Sequence, residues 1–121
     1  MWHKAHHLTL DIYSATRDFP KEELYGLTSQ TRRAAASIPA NIAEGCGRDG
    51  GADLGRFLQI AVGSASELEY HLLLARDLQL LGDSTWQKLS AVVSEVKQML
   101  TSLIKKVRPS RRPYSRQKQP L

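Results

Sequence analysis

His3, His6 and His7 are the one metal-like grouping in the chain. His3 and His7 stand four residues apart and would share a face on a helix. A structural zinc site wants four ligands, and no full ligand set is apparent around this pair. The three therefore read as surface histidines, and no metal or cofactor is expected. The run GCGRDGG, from Gly45 to Gly51, has the glycine density of a phosphate loop. It lacks a preceding strand and the lysine–hydroxyl pair that would grip a phosphate, so it reads as a connector between helices. Cys46 is the only cysteine, which excludes an internal disulfide, and no histidine base is evident for it. Ser, His and Asp occur without the spacing of any recognisable catalytic arrangement. No active site is expected.

The remaining polar residues of interest lie near the middle of the chain. Arg32 and Arg33 precede an alanine run, Asn41 and Glu44 follow Pro39, and Arg56, Ser64, Ser66 and Glu67 sit among apolar neighbours. One of the two adjacent arginines must point close to an apolar stripe. A buried guanidinium needs a carboxylate, which Glu44 or Glu67 would supply. Arg32, Arg33, Asn41, Glu44 and Glu67 are therefore expected to form a structural polar network, within one subunit or between subunits. Direct ligand binding is the less favoured reading.

Charge is distributed unevenly. The chain holds 17 Lys and Arg against 12 Asp and Glu, a net charge of +5. Every acid lies between Asp11 and Glu95. Arg108, Arg111, Arg112, Arg116 and Lys118 form the cationic complement of residues 108–121, which contain no acid. A neutral body thus carries a cationic tail, and the tail accounts for the whole net charge. Such a tail suits a polyanionic partner, nucleic acid ahead of a membrane because no apolar face accompanies the charge. A purely solubilising end is the competing reading. No membrane partner is expected. The opening residues Met1-Trp2-His3-Lys4 do not resemble a signal peptide, so a cytoplasmic location is expected.

The elements that must position these residues are helices. Trp2, Ala5, Leu8, Ile12 and Ala15 recur at three- and four-residue steps and predict a helix over 2–17. Pro20 ends that element and can open the next. Leu24, Leu27, Thr31, Ala34, Ile38 and Ile42 form the stripe of a second helix, with Gly26 leaving its start open and Thr28 as an alternative cap. Pro39 lies inside this pattern and should kink the helix rather than end it, because Ile38 and Ile42 keep the period. A third helix is predicted over about 52–81, roughly 45 Å at 1.5 Å per residue. It carries Leu54, Phe57 or Leu58, Ala61, Ala65, Leu68, Leu72 and Ala75, and a second apolar set at Ile60, Val62, Leu73, Leu74, Leu78, Leu80 and Leu81. That arc is too wide for one bundle to cover, so part of it should bury against another subunit. Gly82 should end this helix. A fourth helix over about 84–107 shows a heptad-like seam at Trp86, Leu89, Val93, Val96, Leu100, Leu103 and Val107. Pro109, Pro113 and Pro120 make residues 108–121 a poor helix and an expected disordered tail. The whole predicts an all-α, antiparallel up-down-up-down four-helix bundle over residues 1–107.

The run YGLTSQTRRAAASIPANIAEG, Tyr25 to Gly45, resembles the four-helix bundle proteins encoded in intervening sequences of bacterial 23S ribosomal RNA genes, also called S23-like. Arg48 and the run FLQIAVGSASELEYHLLLARDL, Phe57 to Leu78, continue the resemblance, as do Trp2, Ala5, Leu8, Ile12, Tyr13 and Phe19-Pro20 at the start and Glu95, Met99, Leu100, Leu103 and Ile104 at the close. It covers residues 2–107. The same family includes the accessory variability determinants of diversity-generating retroelements. Those members imply a homopentameric ring, nucleic-acid binding through basic surfaces, and a reverse transcriptase partner. This chain departs from them in having a neutral body.

Together these readings predict a non-catalytic, oligomeric nucleic-acid-binding accessory protein. Lys105, Lys106, Arg108, Arg111, Arg112, Arg116 and Lys118 are expected to contact RNA or DNA phosphates, with Tyr114 stacking on a base. The alternative is a protein-interaction scaffold that touches nucleic acid little.

Overall fold

The structure, a computed structural model, describes residues 1–48 and 51–107. Four helices dominate it: α1 (Trp2–Ala15), α2 (Ser29–Cys46), α3 (Gly51–Asp77) and α4 (Asp83–Val107). A single 3₁₀ turn, Lys21–Glu23, and a wide turn, Leu24–Thr28, join α1 to α2. Among the described residues there is no strand, and no helix is long and apolar enough to cross a membrane.

Cross-helix contacts fix the topology. Thr9 reaches Ala35, while Arg32 reaches back to Thr16. Ser37 meets Ser64, and Arg33 meets Glu67. Glu69 pairs with Lys97, and Arg76 lies over Trp86. In each helix pair one number falls as the other rises, so consecutive helices run antiparallel. Lys4 on α1 pairs with Glu95 on α4 and closes the circuit. The expected all-α four-helix bundle is the observed architecture.

The core follows the predicted stripes. Leu8, Ile12, Ile38, Leu58, Leu68, Leu72, Val93, Val96 and Leu100 are all buried. Small residues set how closely α2 and α3 approach. Ala34, Ala35, Ala61 and Ala65 are fully buried, and a Cβ on Gly45 would stand 2.9 Å from the Phe57 Cβ. Only glycine fits there.

Pro39 creates the sharpest local demand. It lacks an N–H, so the Ala35 carbonyl four residues earlier loses its helical partner. Even so, α2 runs through Pro39 as one helix. The Thr9 hydroxyl of α1 donates to the Ala35 carbonyl at 3.1 Å and shares its proton with the Ala5 carbonyl at 3.0 Å. Both Thr9 and Ala35 are buried, so water cannot substitute.

Three expectations need correction. Leu24 does not join the α2 stripe. It is 46% exposed, because Gly26 departs from helical geometry at φ −112°, ψ −109° and α2 begins only at Ser29. Nor does Thr28 cap the helix with its hydroxyl; instead a Glu23 carboxylate oxygen accepts from the Leu27 N–H at 3.3 Å. Finally, α3 ends at Asp77 rather than 81. Gln79 takes a left-handed φ of 64°, its N–H bonds the Arg76 carbonyl at 2.9 Å, and the Leu80 N–H reaches the Ala75 carbonyl at 2.9 Å. This closure turns the chain back so that Leu81 is buried, and Gly82 is not the stop.

Thr9→Val should cost about 1–3 kcal/mol by urea unfolding, since it leaves a buried carbonyl unpaired. In the Pro39→Ala background, where a backbone N–H again serves Ala35, the same change should cost clearly less. Equal costs in the two backgrounds would contradict this account.

Candidate nucleic-acid interface

Antiparallel packing brings the C-terminus of α2, the N-terminus of α3 and the C-terminus of α4 to one end of the bundle. Val107 marks the junction: its side chain lies 3.8 Å from where a Gly55 Cβ would stand. Lys105 and Lys106, both exposed, occupy the last turn of α4, where the unpaired carbonyl ends favour cations. At the same end Arg48 and Arg56 flank Phe57, with guanidinium carbons 5.1 and 4.6 Å from the ring centroid. Each has a nearby carboxylate, Glu44 at 2.9 Å from Arg48 and Asp53 at 3.7 Å from Arg56. Among the described residues, four cations at this end face two acids. Arg108, Arg111, Arg112, Tyr114, Arg116 and Lys118 lie outside the described residues, and the chain enters that segment directly from Val107.

The five residues expected to form a polar network are distributed along the inter-helix seams and the surface. Arg33 pairs with Glu67 across α2 and α3 and also donates to the Gln30 side-chain oxygen at 2.8 Å. Both members of that pair are more than one-third exposed, so its contribution is small, about 0.2–1 kcal/mol. His71 stands 3.8 Å from the same Glu67 oxygen. Arg32 is the arginine turned into the fold, but it takes no carboxylate. Its Nε donates to the Thr16 hydroxyl at 2.8 Å, Nη2 to the Tyr13 carbonyl at 3.4 Å, and the guanidinium covers the Tyr13 ring at 4.7 Å. It remains only half-buried, so neutral oxygens and an aromatic face suffice. Asn41 donates to the Ser37 carbonyl at 2.8 Å and hydroxyl at 3.0 Å, and Ser37 in turn bonds Ser64 at 2.7 Å. Glu44 belongs to Arg48 on the surface. These contacts hold helix register and enclose no ligand site.

The N-terminal histidines join an aromatic cluster. His6 stacks on Trp2 at 5.0 Å, and His3 meets Trp2 edge-on at 5.3 Å. Trp2 is 39% exposed, so it leaves the core stripe to Ala5, Leu8 and Ile12. Among the described residues no group of three or more His, Cys, Asp or Glu is placed to hold a metal. Cys46 is exposed.

The apolar excess of α3 is partly absorbed and partly displayed. Leu81 is buried and Val62, Leu74 and Leu80 pack on the core margin, but Ile60, Tyr70, Leu73 and Leu78 remain exposed. Gly63 lies among them in mid-helix, and nothing stands within 4 Å of where its Cβ would be. Leu10, Tyr13, Leu24 and Tyr25 are also exposed, toward the far end of the bundle from Val107.

Sequence reasoning missed two features. The Arg48–Phe57–Arg56 stack depends on α2 and α3 meeting at Gly45, which no local pattern announces. Lys97 and its partner Glu69, 3.0 Å apart across α3 and α4, depend on the register between those helices.

These elements define an antiparallel four-helix bundle, cationic at one end, with no catalytic constellation among the described residues. The chain belongs to the 23S rRNA-intervening sequence protein family, whose model matches residues 1–102. It is similar to a crystal structure of a protein of unknown function from the S23 ribosomal protein family of Bacteroides thetaiotaomicron. The two share 25% identity and superpose with a TM-score of 0.78, over 86% of this chain and 97% of that one. Neither description names an enzyme. No curated protein matches the chain.

Proposed function

We propose that this protein is a non-catalytic, self-assembling accessory that binds single-stranded RNA or DNA through its cationic end. The observation that carries the reading is positional. Lys105, Lys106, Arg48 and Arg56 stand at the end of the bundle from which the acid-free segment 108–121 continues. Phosphates would be held by counterion release, with Tyr114 available to stack on a base. A reverse transcriptase, the partner implied by the resemblance to accessory variability determinants, would dock on the body while the tails hold template.

Self-assembly is supported by α3. A glycine inside a helix costs about 1 kcal/mol relative to alanine. Gly63 recovers none of that cost within the subunit, because no atom approaches it. With Ile60, Tyr70 and Leu73 exposed around it, the face suits close approach by a neighbouring copy, and the resemblance to accessory variability determinants makes a pentameric ring the favoured assembly. Five tails on one ring would multiply a weak phosphate affinity.

Two outcomes follow. Replacing Arg108, Arg111, Arg112, Arg116 and Lys118 with glutamine in the full chain should reduce the salt dependence of single-strand binding. The log–log slope should fall from about −5 to about −1.5, at about 0.7 for each of the five phosphate contacts removed. Unchanged affinity and slope would refute the tail's role. Light scattering should give the mass of a closed oligomer, and Gly63→Arg should dissociate it and weaken nucleic-acid binding with the tail intact. A monomeric native chain would overturn the assembly.

A further inference from the structure

A second polar feature lies on the side of the bundle. A groove of about 460 Å³ runs between α3 and α4, lined by Glu69 from α3 and by Ser94, Lys97, Gln98, Thr101, Ser102 and Lys105 from α4. No apolar side chain lines it. From Ser94 to Lys105 the groove follows α4 for roughly 16 Å at 1.5 Å per residue. Its last lining residue, Lys105, lies in the final turn of α4, shortly before the acid-free segment 108–121.

Its chemistry is one-sided. Hydroxyls, an amide and two ammonium groups face a single carboxylate. Lys97 is the more enclosed of the two cations, with its side chain 29% exposed, and its ammonium is held 3.0 Å from Glu69. The Thr101 hydroxyl donates to the Lys97 carbonyl at 2.6 Å, which fixes its oxygen within the stripe. Thr101 has thus given its proton to the backbone, and the donors left along α4 are the Ser94 and Ser102 hydroxyls, the Gln98 amide and the two ammonium groups, which match the oxygens of successive phosphodiesters. The groove offers no apolar side chain as an anchor, and its single carboxylate is paired with Lys97.

We propose that this groove is a second binding track for a single nucleic-acid strand, continuing from the tail along α4, and that Glu69 opposes it by competing with phosphate for Lys97. The inference rests on the nucleic-acid reading above and adds a site to it. Entry of a phosphate would exchange the Lys97–Glu69 pair for a Lys97–phosphate contact, leaving Glu69 to solvent. Because the pair is partly exposed, the exchange carries a small penalty. Glu69 therefore tunes affinity rather than blocking it.

The test uses the full chain and a fluorescein-labelled oligouridylate, read by anisotropy at fixed salt. Lys97→Gln should weaken binding about three- to tenfold, the scale of one phosphate contact. Glu69→Gln should strengthen it several-fold, and Glu69→Gln should have no effect in the Lys97→Gln background. Opposite signs from the two partners of one ion pair cannot arise from a loss of stability, which would move both the same way. If both variants bind like the native chain while the tail substitutions still abolish binding, the groove is not a track and the nucleic-acid reading stands. If the native chain does not bind the probe, both fall.

Discussion

Pro39 leaves a carbonyl without a partner in the middle of the bundle, and the docking of α1 answers it. The Thr9 hydroxyl reaches Ala35 because α1 lies antiparallel on α2 at one register and no other. A shift of one residue would carry the hydroxyl away and leave the carbonyl dry and unpaired. The same face of α2 must also be small. Ala34 and Ala35 are fully buried, and Gly45 lets Phe57 and Leu54 of α3 close in. The segment RRAAASIPANIAEG thus meets a backbone demand from Pro39, a steric demand from α3 and a polar link through Ser37, Asn41 and Ser64 within a few turns.

That fixed arrangement makes the two ends chemically unlike. With α2 held on both neighbours, its C-terminus, the start of α3 and the end of α4 share one end. Arg48, Arg56, Lys105 and Lys106 gather there by topology alone. The exposed aromatic and aliphatic side chains Tyr13, Tyr25 and Leu78 lie toward the other end. A neutral body thus gathers described cations at one end, and the outward face of α3 between the ends stays exposed at Ile60, Tyr70 and Leu73. The buried polar atoms that have partners use them to fix helix register.

Much of this was legible in the sequence because helical periodicity is a strong signal. The seam of α4 at Leu89, Val93, Val96 and Leu100 is buried as its spacing requires, and so are Leu8 and Ile12 on α1. The end of α3 was not legible. Leu80 and Leu81 keep the apolar period while the backbone has already reversed at Gln79, and a left-handed glutamine carries no local signature. The destination of Arg32 was equally hidden, since Thr16 and Tyr13 reach it only after α1 has docked. The proposed interface was half legible. Composition singled out the basic segment, whereas the clustering of Arg48 and Arg56 around Phe57 and the groove along α4 come from packing between helices distant in sequence.

The central claim is that nucleic acid engages one end of the bundle, and photo-crosslinking tests it most directly. A single strand carrying 4-thiouridine would be crosslinked to the full-length protein and the adducts mapped by mass spectrometry. The account predicts adducts within residues 105–121 and around Arg48, Arg56 and Phe57, extending back along α4 toward Ser94 where the groove is occupied. Adducts confined to the opposite end, around Tyr13, Tyr25 and Leu78, would contradict it.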